Sequence, residues 1–87
     1  MPYVIVIYDV SKERVGKIKT FLNRYLYWVQ NSAFEGELSE SQLAEVRCGL
    51  HELLRDEDSV YIYKFPSMKS FRKEVLGQER GRTEQIV

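Results

Sequence analysis

Two segments of the chain repeat the same apolar spacing, and this repeat restricts the fold more than any other feature of the sequence. In each segment five apolar residues stand at offsets of 0, 3, 7, 10 and 11. They are Val15, Ile18, Leu22, Tyr25 and Leu26 in the first segment, and Leu43, Val46, Leu50, Leu53 and Leu54 in the second. This spacing places five side chains on one face of a helix. The sequence therefore predicts two amphipathic helices, the first capped by Ser11 and the second by the capping box of Ser39 and Gln42.

Runs of β-branched and aromatic residues stand before, between and after the two helices. Residues 3–9 are apolar on both faces, which is typical of a central strand. Residues 59–65 alternate between two apolar faces and predict another strand. Residues 28–38 are expected to be extended, with a break or bulge near Asn31 and again at Gly36. These eleven residues fit either a tight hairpin or one bent strand.

The resulting order is strand, helix, extended pair, helix, strand. This βαββαβ order predicts an α+β, ferredoxin-like sandwich in which two helices cover one face of an antiparallel sheet. With 87 residues there is room for a single domain, whose core we place in residues 3–65. Residues 83–87 form a short extra strand candidate, which either frays or pairs with an exposed sheet edge. In a dimer that edge could belong to the partner, so that residues 66–87 pack across the dimer.

Composition favours a soluble homodimer. The chain is 44% hydrophobic and has eleven aromatic residues, which is rich for its length and leaves apolar surface to bury against a second copy. Cys48 is the only cysteine, so an internal disulfide is excluded. No run approaches the roughly 18 apolar residues of a membrane span, and the first residues lack the features of a signal peptide. We therefore expect a cytoplasmic protein that does not contact a membrane.

Charge is balanced overall but divided along the chain. Thirteen basic and thirteen acidic residues cancel, which argues against a purely electrostatic nucleic-acid binder. Residues 11–30 nevertheless carry a net +4, residues 35–58 a net −6 and residues 59–87 a net +3. Solvated helix faces of opposite sign are one interpretation. The other is a phosphate-binding surface formed by the first helix and the C-terminal third, with the candidates Arg14, Lys17, Lys19, Arg24, Arg80 and Arg82.

Asp9 is the one carboxylate placed for chemistry, at the end of the first strand and just before a helix. An acid there also has a purely structural interpretation, because the helix dipole favours it. As a functional group it would hold Mg²⁺, which proteins commonly bind through one or two carboxylates plus water and phosphate oxygens. A dimer axis near the strand end would bring two copies of Asp9 together. His51 and Cys48 are weaker candidates, expected to be a partly exposed helix residue and a small half-buried residue.

Two sequence blocks carry a resemblance to a known family. The run VIYDV at residues 6–10 and the block WVQNSAFEGEL at residues 28–38 resemble the small CRISPR-associated adaptation protein, the endonuclease-like partner of the spacer integrase. The resemblance implies a ferredoxin-like homodimer with a C-terminal strand packed across protomers. It also implies that Asp9 is a Mg²⁺ ligand facing its copy across the dimer cleft. Tyr8, Arg14 and Phe34 fall at or near other positions that the family uses.

Three kinds of function follow from these expectations. The first is a Mg²⁺-dependent endonuclease that cuts single-stranded RNA or double-stranded DNA. The second is a non-catalytic scaffold. In this case the dimer bridges integrase dimers and holds prespacer DNA by binding the phosphate backbone of the DNA. The third is a toxin-type ribonuclease or a ferredoxin-like regulatory domain that binds a small ligand. Many members of the resembled family carry a second acid and an arginine pair after the aspartate, where this chain has Val10, Ser11 and Lys12.

Overall fold

The structure, a computed structural model, describes residues 1–81. In this part of the chain the elements follow the predicted βαββαβ order. They are β1 (Tyr3–Asp9), α1 (Lys12–Leu22), β2 (Tyr27–Gln30), β3 (Ala33–Glu37), α2 (Glu40–Leu53) and β4 (Ser59–Phe65), followed by a 3₁₀ turn at Met68–Ser70. The candidate strand at residues 83–87 and the candidate Arg82 lie outside the described residues.

The sheet has the strand order β2-β3-β1-β4, and every neighbouring pair is antiparallel. β1 is central, as its two apolar faces predicted, with Ile5 opposite Glu35 on β3 and Tyr63 on β4. Side chains alternate between the two faces of a strand. Val4, Val6 and Tyr8 therefore point toward the helices, and the other side chains of β1 toward the uncovered face. This arrangement confirms the expected ferredoxin-like sandwich.

The core lies between the sheet and the two helices. Its members are almost completely buried, and each such side chain contributes about 1.5–3 kcal/mol of hydrophobic stabilisation. They include Val4, Val6, Ile18, Leu22, Phe34, Leu43, Val46 and Leu50. Both apolar stripes predicted from the spacing thus face the core.

The end of α1 differs from the prediction. The apolar stripe suggested a helix that reaches Leu26, but α1 ends at Leu22. The N–H groups of Arg24 and Tyr25 bond to carbonyls three residues earlier, at 3.2 and 3.0 Å, which tightens the chain into a turn. The turn still delivers Leu26 to the core, where it is 5% exposed. The helical spacing therefore identified Ile18, Leu22 and Leu26 correctly as buried residues, although it overestimated the length of the helix.

The two helix starts are stabilised in different ways. At α2 the predicted capping box is confirmed, because Ser39 Oγ accepts from the N–H of Gln42 at 3.1 Å and the Gln42 side chain accepts from the N–H of Ser39 at 2.9 Å. At α1, Ser11 occupies the N-cap position, but its hydroxyl accepts from Arg14 instead of capping the backbone. The predicted side-chain cap at Ser11 is therefore wrong.

Residues 28–38 form a hairpin, which decides between the two expected alternatives. β2 and β3 are joined at Asn31 and Ser32, and Asn31 has a φ of 41°. A bulge lies between Trp28 and Gln30. The break expected at Gly36 is wrong, since Gly36 lies within β3, and the absence of a side chain there lets Leu26 approach the strand closely.

Residues 66–81 cross part of the sheet face that the helices do not cover. The ring of Phe71 lies 4.5 Å from the ring of Tyr3 and 5.1 Å from that of Phe65. Beyond it, Lys73 Nζ lies 3.1 Å from Glu35 Oε2, which also accepts from the hydroxyl of Tyr3 at 2.8 Å. The segment therefore runs from β4 over β1 and β3, and it leaves the other end of this face open.

The open end exposes large apolar side chains. Ile7 is 40% exposed, Tyr61 59% and Tyr63 50%.

The outer face of α2 is also open and includes His51 and Cys48. Cys48 is exposed rather than half-buried as expected, because it lies opposite the stripe that faces the core. Within residues 1–81 no helix is long and apolar enough to cross a membrane.

Candidate metal-binding carboxylate and nucleic-acid interface

Asp9 is the last residue of β1, and its side chain is exposed. It pairs with Ser59, the first residue of β4. Strand alternation places Asp9 on the uncovered face of the sheet, with Ile5 and Ile7. Over residues 1–81 Asp9 has no hydrogen bond or ion pair to its side chain. The carboxylate is therefore available at the rim of the exposed apolar surface.

A cluster around Asp58 holds the turn that follows Asp9. We define the Asp58 cluster as Ser11, Arg14, Arg55, Glu57 and Asp58. Asp58 accepts from the N–H of Ser11 at 3.1 Å, from the N–H of Arg55 at 2.9 Å and from Arg14 Nε at 2.6 Å. Arg14 also donates to Glu57 Oε2 at 2.9 Å and to Ser11 Oγ at 2.8 Å. The cluster joins the turn after β1 to the turn before β4.

The electrostatics of this cluster keep both partners charged. The hydrogen bond from Arg14 is the main cause that holds the pKa of Asp58 well below its usual range, and the N–H groups of Arg55 and Ser11 contribute. The hydrogen bond to Asp58 in turn raises the pKa of Arg14. The side chain of Asp58 is inaccessible to solvent and that of Arg14 is 15% exposed. Arg14 is thus committed to contacts inside the fold.

Tyr8 and Phe34 lie beneath the sheet, on the face that the helices cover. Both are buried, and their ring centroids are 6.2 Å apart. Burial raises the pKa of Tyr8, so the phenol is neutral at physiological pH. Its hydroxyl has no hydrogen-bonding partner among the described residues. Tyr8 directly precedes Asp9 and Phe34 pairs with Val6, so both residues pack in the core and do not share the exposed face of Asp9.

The other basic candidates extend away from Asp9, along α1 and beyond its end. Lys17 is exposed on the helix, and Arg24 follows its end with the guanidinium 6.0 Å from the ring of Phe21. The ammonium group of Lys19 lies 5.2 Å from the ring of Trp28. Arg80 is exposed beside a cavity of about 370 Å³ that is also lined by Asn23, Leu26, Tyr27, Trp28 and Gly81. Lys19 and Arg80 thus each lie near Trp28 on the edge strand β2, whereas Arg14 is held in the Asp58 cluster.

The carboxylate of Asp9 was tested against the needs of a metal site. In residues 1–81 no three His, Cys, Asp or Glu residues are grouped so that they could hold a metal ion. A hard ion such as Mg²⁺ needs only one or two carboxylates, because water and substrate phosphate complete its coordination. The exposed carboxylate of Asp9 fits that chemistry, and a second copy would supply the second carboxylate.

The Asp58 cluster is the part of the site that sequence analysis missed. The sequence predicts only that residues 55–58 belong to the acidic stretch 35–58. A usable signal was present, since the end of a central strand and the start of an antiparallel neighbour must lie side by side. Basic Arg14 follows the first point and acidic Asp58 precedes the second, and these two residues are 44 positions apart in the chain.

Comparisons with known proteins identify the family. Residues 1–73 match the family described as CRISPR associated protein Cas2. The chain is 59% identical over 80 residues to the CRISPR-associated endoribonuclease Cas2 2 of Archaeoglobus fulgidus, covering 91% of this chain and 87% of the relative. It is 49% identical to the CRISPR-associated endoribonuclease Cas2 of Thermococcus kodakarensis, covering 98% and 99%.

Solved structures agree with the sequence comparisons. A structure described as the crystal structure of Cas2 superposes with a TM-score of 0.84 at 46% identity, covering 99% of this chain and 98% of the other. Streptococcus pyogenes Cas2 gives a TM-score of 0.74 at 26% identity, covering 86% and 99%. The chain therefore belongs to the Cas2 family of CRISPR-associated proteins.

Proposed function

We propose that the chain is an endonuclease of CRISPR adaptation that works as a homodimer and hydrolyses phosphodiester bonds with Mg²⁺ held by two copies of Asp9. The observation that carries this proposal is the exposed carboxylate of Asp9, which has no hydrogen-bonding or ionic partner within residues 1–81 and lies at the rim of an exposed apolar surface. The curated relatives are named endoribonucleases, which supports RNA as the first substrate to test. Double-stranded DNA is the second.

Dimerisation is supported by the exposed apolar side chains beside Asp9. Ile7, Tyr61 and Tyr63 lie on the same face of the sheet as Asp9, and burying them against a second copy is favourable. A two-fold axis through this surface would place the two Asp9 carboxylates near each other. Proteins usually contribute one or two carboxylates to a Mg²⁺ site, so two copies of Asp9 would be sufficient.

The chemistry divides between the acidic and the basic residues. A bound Mg²⁺ would supply the charge that activates water and stabilises the phosphate. Asp9 would hold it at the end of β1. Lys17, Lys19, Arg24 and Arg80 would bind backbone phosphates, which positions the nucleic acid without reading its sequence.

A second candidate function is a scaffold that bridges integrase dimers and holds prespacer DNA. It is favoured by the location of the basic residues, which extend along α1 and the β2 edge away from Asp9. Contacts of that kind require no metal. In this function Asp9 would be dispensable, while the dimer and the basic surface would remain essential.

The Asp9→Asn variant separates the two functions. It keeps the shape of the side chain and removes its charge, so Mg²⁺-dependent cleavage of RNA by the purified dimer should fall by orders of magnitude. Binding of nucleic acid should persist. Asp56→Asn is the matched control, because Asp56 is an exposed aspartate in the turn before β4, and it should cleave like the native protein. Undiminished cleavage by Asp9→Asn would refute the catalytic role, and intact integrase-dependent spacer insertion would then favour the scaffold.

A further inference from the structure

The position of Asp9 depends on the short turn between β1 and α1. Asp9 ends the strand, and only Val10 and Ser11 separate it from the helix. Ser11 has an extended backbone, with φ −59° and ψ 149°. Whatever fixes Ser11 therefore limits the directions in which the Asp9 side chain can point.

Asp58 fixes Ser11 from across the sheet end. Its Oδ1 atom accepts from the N–H of Ser11 at 3.1 Å, and its Oδ2 atom accepts from the N–H of Arg55 at 2.9 Å. Since Asp9 pairs with Ser59, Asp58 stands one residue before the partner of Asp9. One carboxylate thus ties the turn that carries Asp9 to the start of β4.

Asp58 has no capacity left to act as a ligand. Arg14 donates to it twice, from Nε at 2.6 Å and from a terminal nitrogen at 2.9 Å. With the two backbone donors this makes four hydrogen bonds, and an ionised carboxylate offers about four acceptor sites. The side chain is also inaccessible to solvent. Any influence of Asp58 on the site must therefore pass through the residues that it holds.

We propose that Asp58 is a positioning residue for Asp9, acting through the backbone N–H of Ser11 and kept in place by Arg14. The inference rests on the proposed function, in which Asp9 holds Mg²⁺. Removing the Asp58 carboxylate would release Ser11 and let the Asp9 side chain sample more directions. The Mg²⁺ affinity would fall although every ligand is still present.

The test compares Asp58→Ala and Asp58→Asn with the native protein by NMR. Mg²⁺ alone is titrated while the amide signals of Val10 and Ser11 are followed, which gives a dissociation constant without any nuclease assay. In Asp58→Ala the Ser11 amide should exchange with solvent faster, and the dissociation constant should rise about tenfold, a cost typical of removing an outer-shell partner. Asp58→Asn keeps an oxygen acceptor for Ser11 and should rescue part of the affinity. If the alanine variant does not fold, the asparagine variant provides the same two readouts.

A stability-matched control distinguishes positioning from general destabilisation. Val46 is buried in α2, and Val46→Ala lowers stability without touching the turn after β1. It should leave the dissociation constant unchanged. Equal affinities in Asp58→Ala and Val46→Ala would overturn the inference alone. If Asp9→Asn titrates like the native protein, the proposed metal site fails and the inference falls with it.

Discussion

At the scale of single residues, Asp58 makes stability depend on pH. Its folded pKa lies below the ordinary value, chiefly because Arg14 donates to it. A carboxyl of this kind contributes stability that is fully present above the unfolded pKa of about 4 and is lost as pH falls through the folded pKa. Asp58→Asn should therefore melt at a lower temperature than the native protein at pH 7, and the difference should shrink below about pH 4. Thermal unfolding of both proteins between pH 7 and pH 2 measures this, and a difference that does not change with pH would contradict it.

Sequence analysis selected some residues of the candidate site and not others. It selected Asp9 because the strand pattern ends at this residue and the helix pattern begins just after it. Asp58 was not found, since its partners Ser11 and Arg14 are 47 and 44 residues away. Arg14 carries the same charge as Lys17, and the sequence alone treats them alike. Only the fold shows that Arg14 is enclosed by acids while Lys17 is exposed.

At the scale of elements, α1 presents the basic surface. Alanine at both Lys17 and Arg24 should weaken duplex binding equally for all sequences, because only phosphates are contacted. The double variant should also reduce the salt slope by about two, one for each lost contact. Fluorescence anisotropy across a salt series measures both effects. Arg47→Ala, an exposed arginine on α2, is the matched control and should leave the slope unchanged. A loss confined to one sequence would argue for base recognition instead.

The segment after β4 is held by an ion pair that is largely buried. Lys73 is 12% and Glu35 6% exposed, and their atoms are 3.1 Å apart. Lys73→Met keeps the length of the side chain but leaves Glu35 short of a donor, which should cost about 1–3 kcal/mol in urea unfolding. Lys64→Met breaks the exposed pair with Glu40 and should cost at most about 1 kcal/mol. Equal losses in the two variants would mean that residues 66–81 do not rest on the sheet in solution.

Element boundaries show where local patterns stop being sufficient. Apolar periodicity predicted both helices and the central strand because burial on one face imposes that period. It could not place the end of α1, since the turn after Leu22 keeps Leu26 on the buried side. Apolar periodicity could not predict the course of residues 66–81 either, because Phe71 packs against Tyr3, which is far away in the sequence.

At the scale of the whole molecule, the proposed metal site needs more carboxylates than one chain provides. Asp9 is a single carboxylate beside uncovered Ile7, Tyr61 and Tyr63. In the proposed homodimer a second copy would cover the apolar surface and add a second Asp9. The composition predicted the surplus of apolar surface, but the fold was needed to place that surface next to Asp9.

The most direct test of this account is the number of metal ions bound per chain. Mn²⁺ serves as a paramagnetic substitute for Mg²⁺, and free Mn²⁺ is measured by electron paramagnetic resonance while sedimentation gives the mass of the same sample. We predict a dimer that binds one Mn²⁺ per two chains, with this binding abolished in Asp9→Asn. A monomer, one ion per chain, or binding that survives in Asp9→Asn would contradict a site shared between two copies of Asp9.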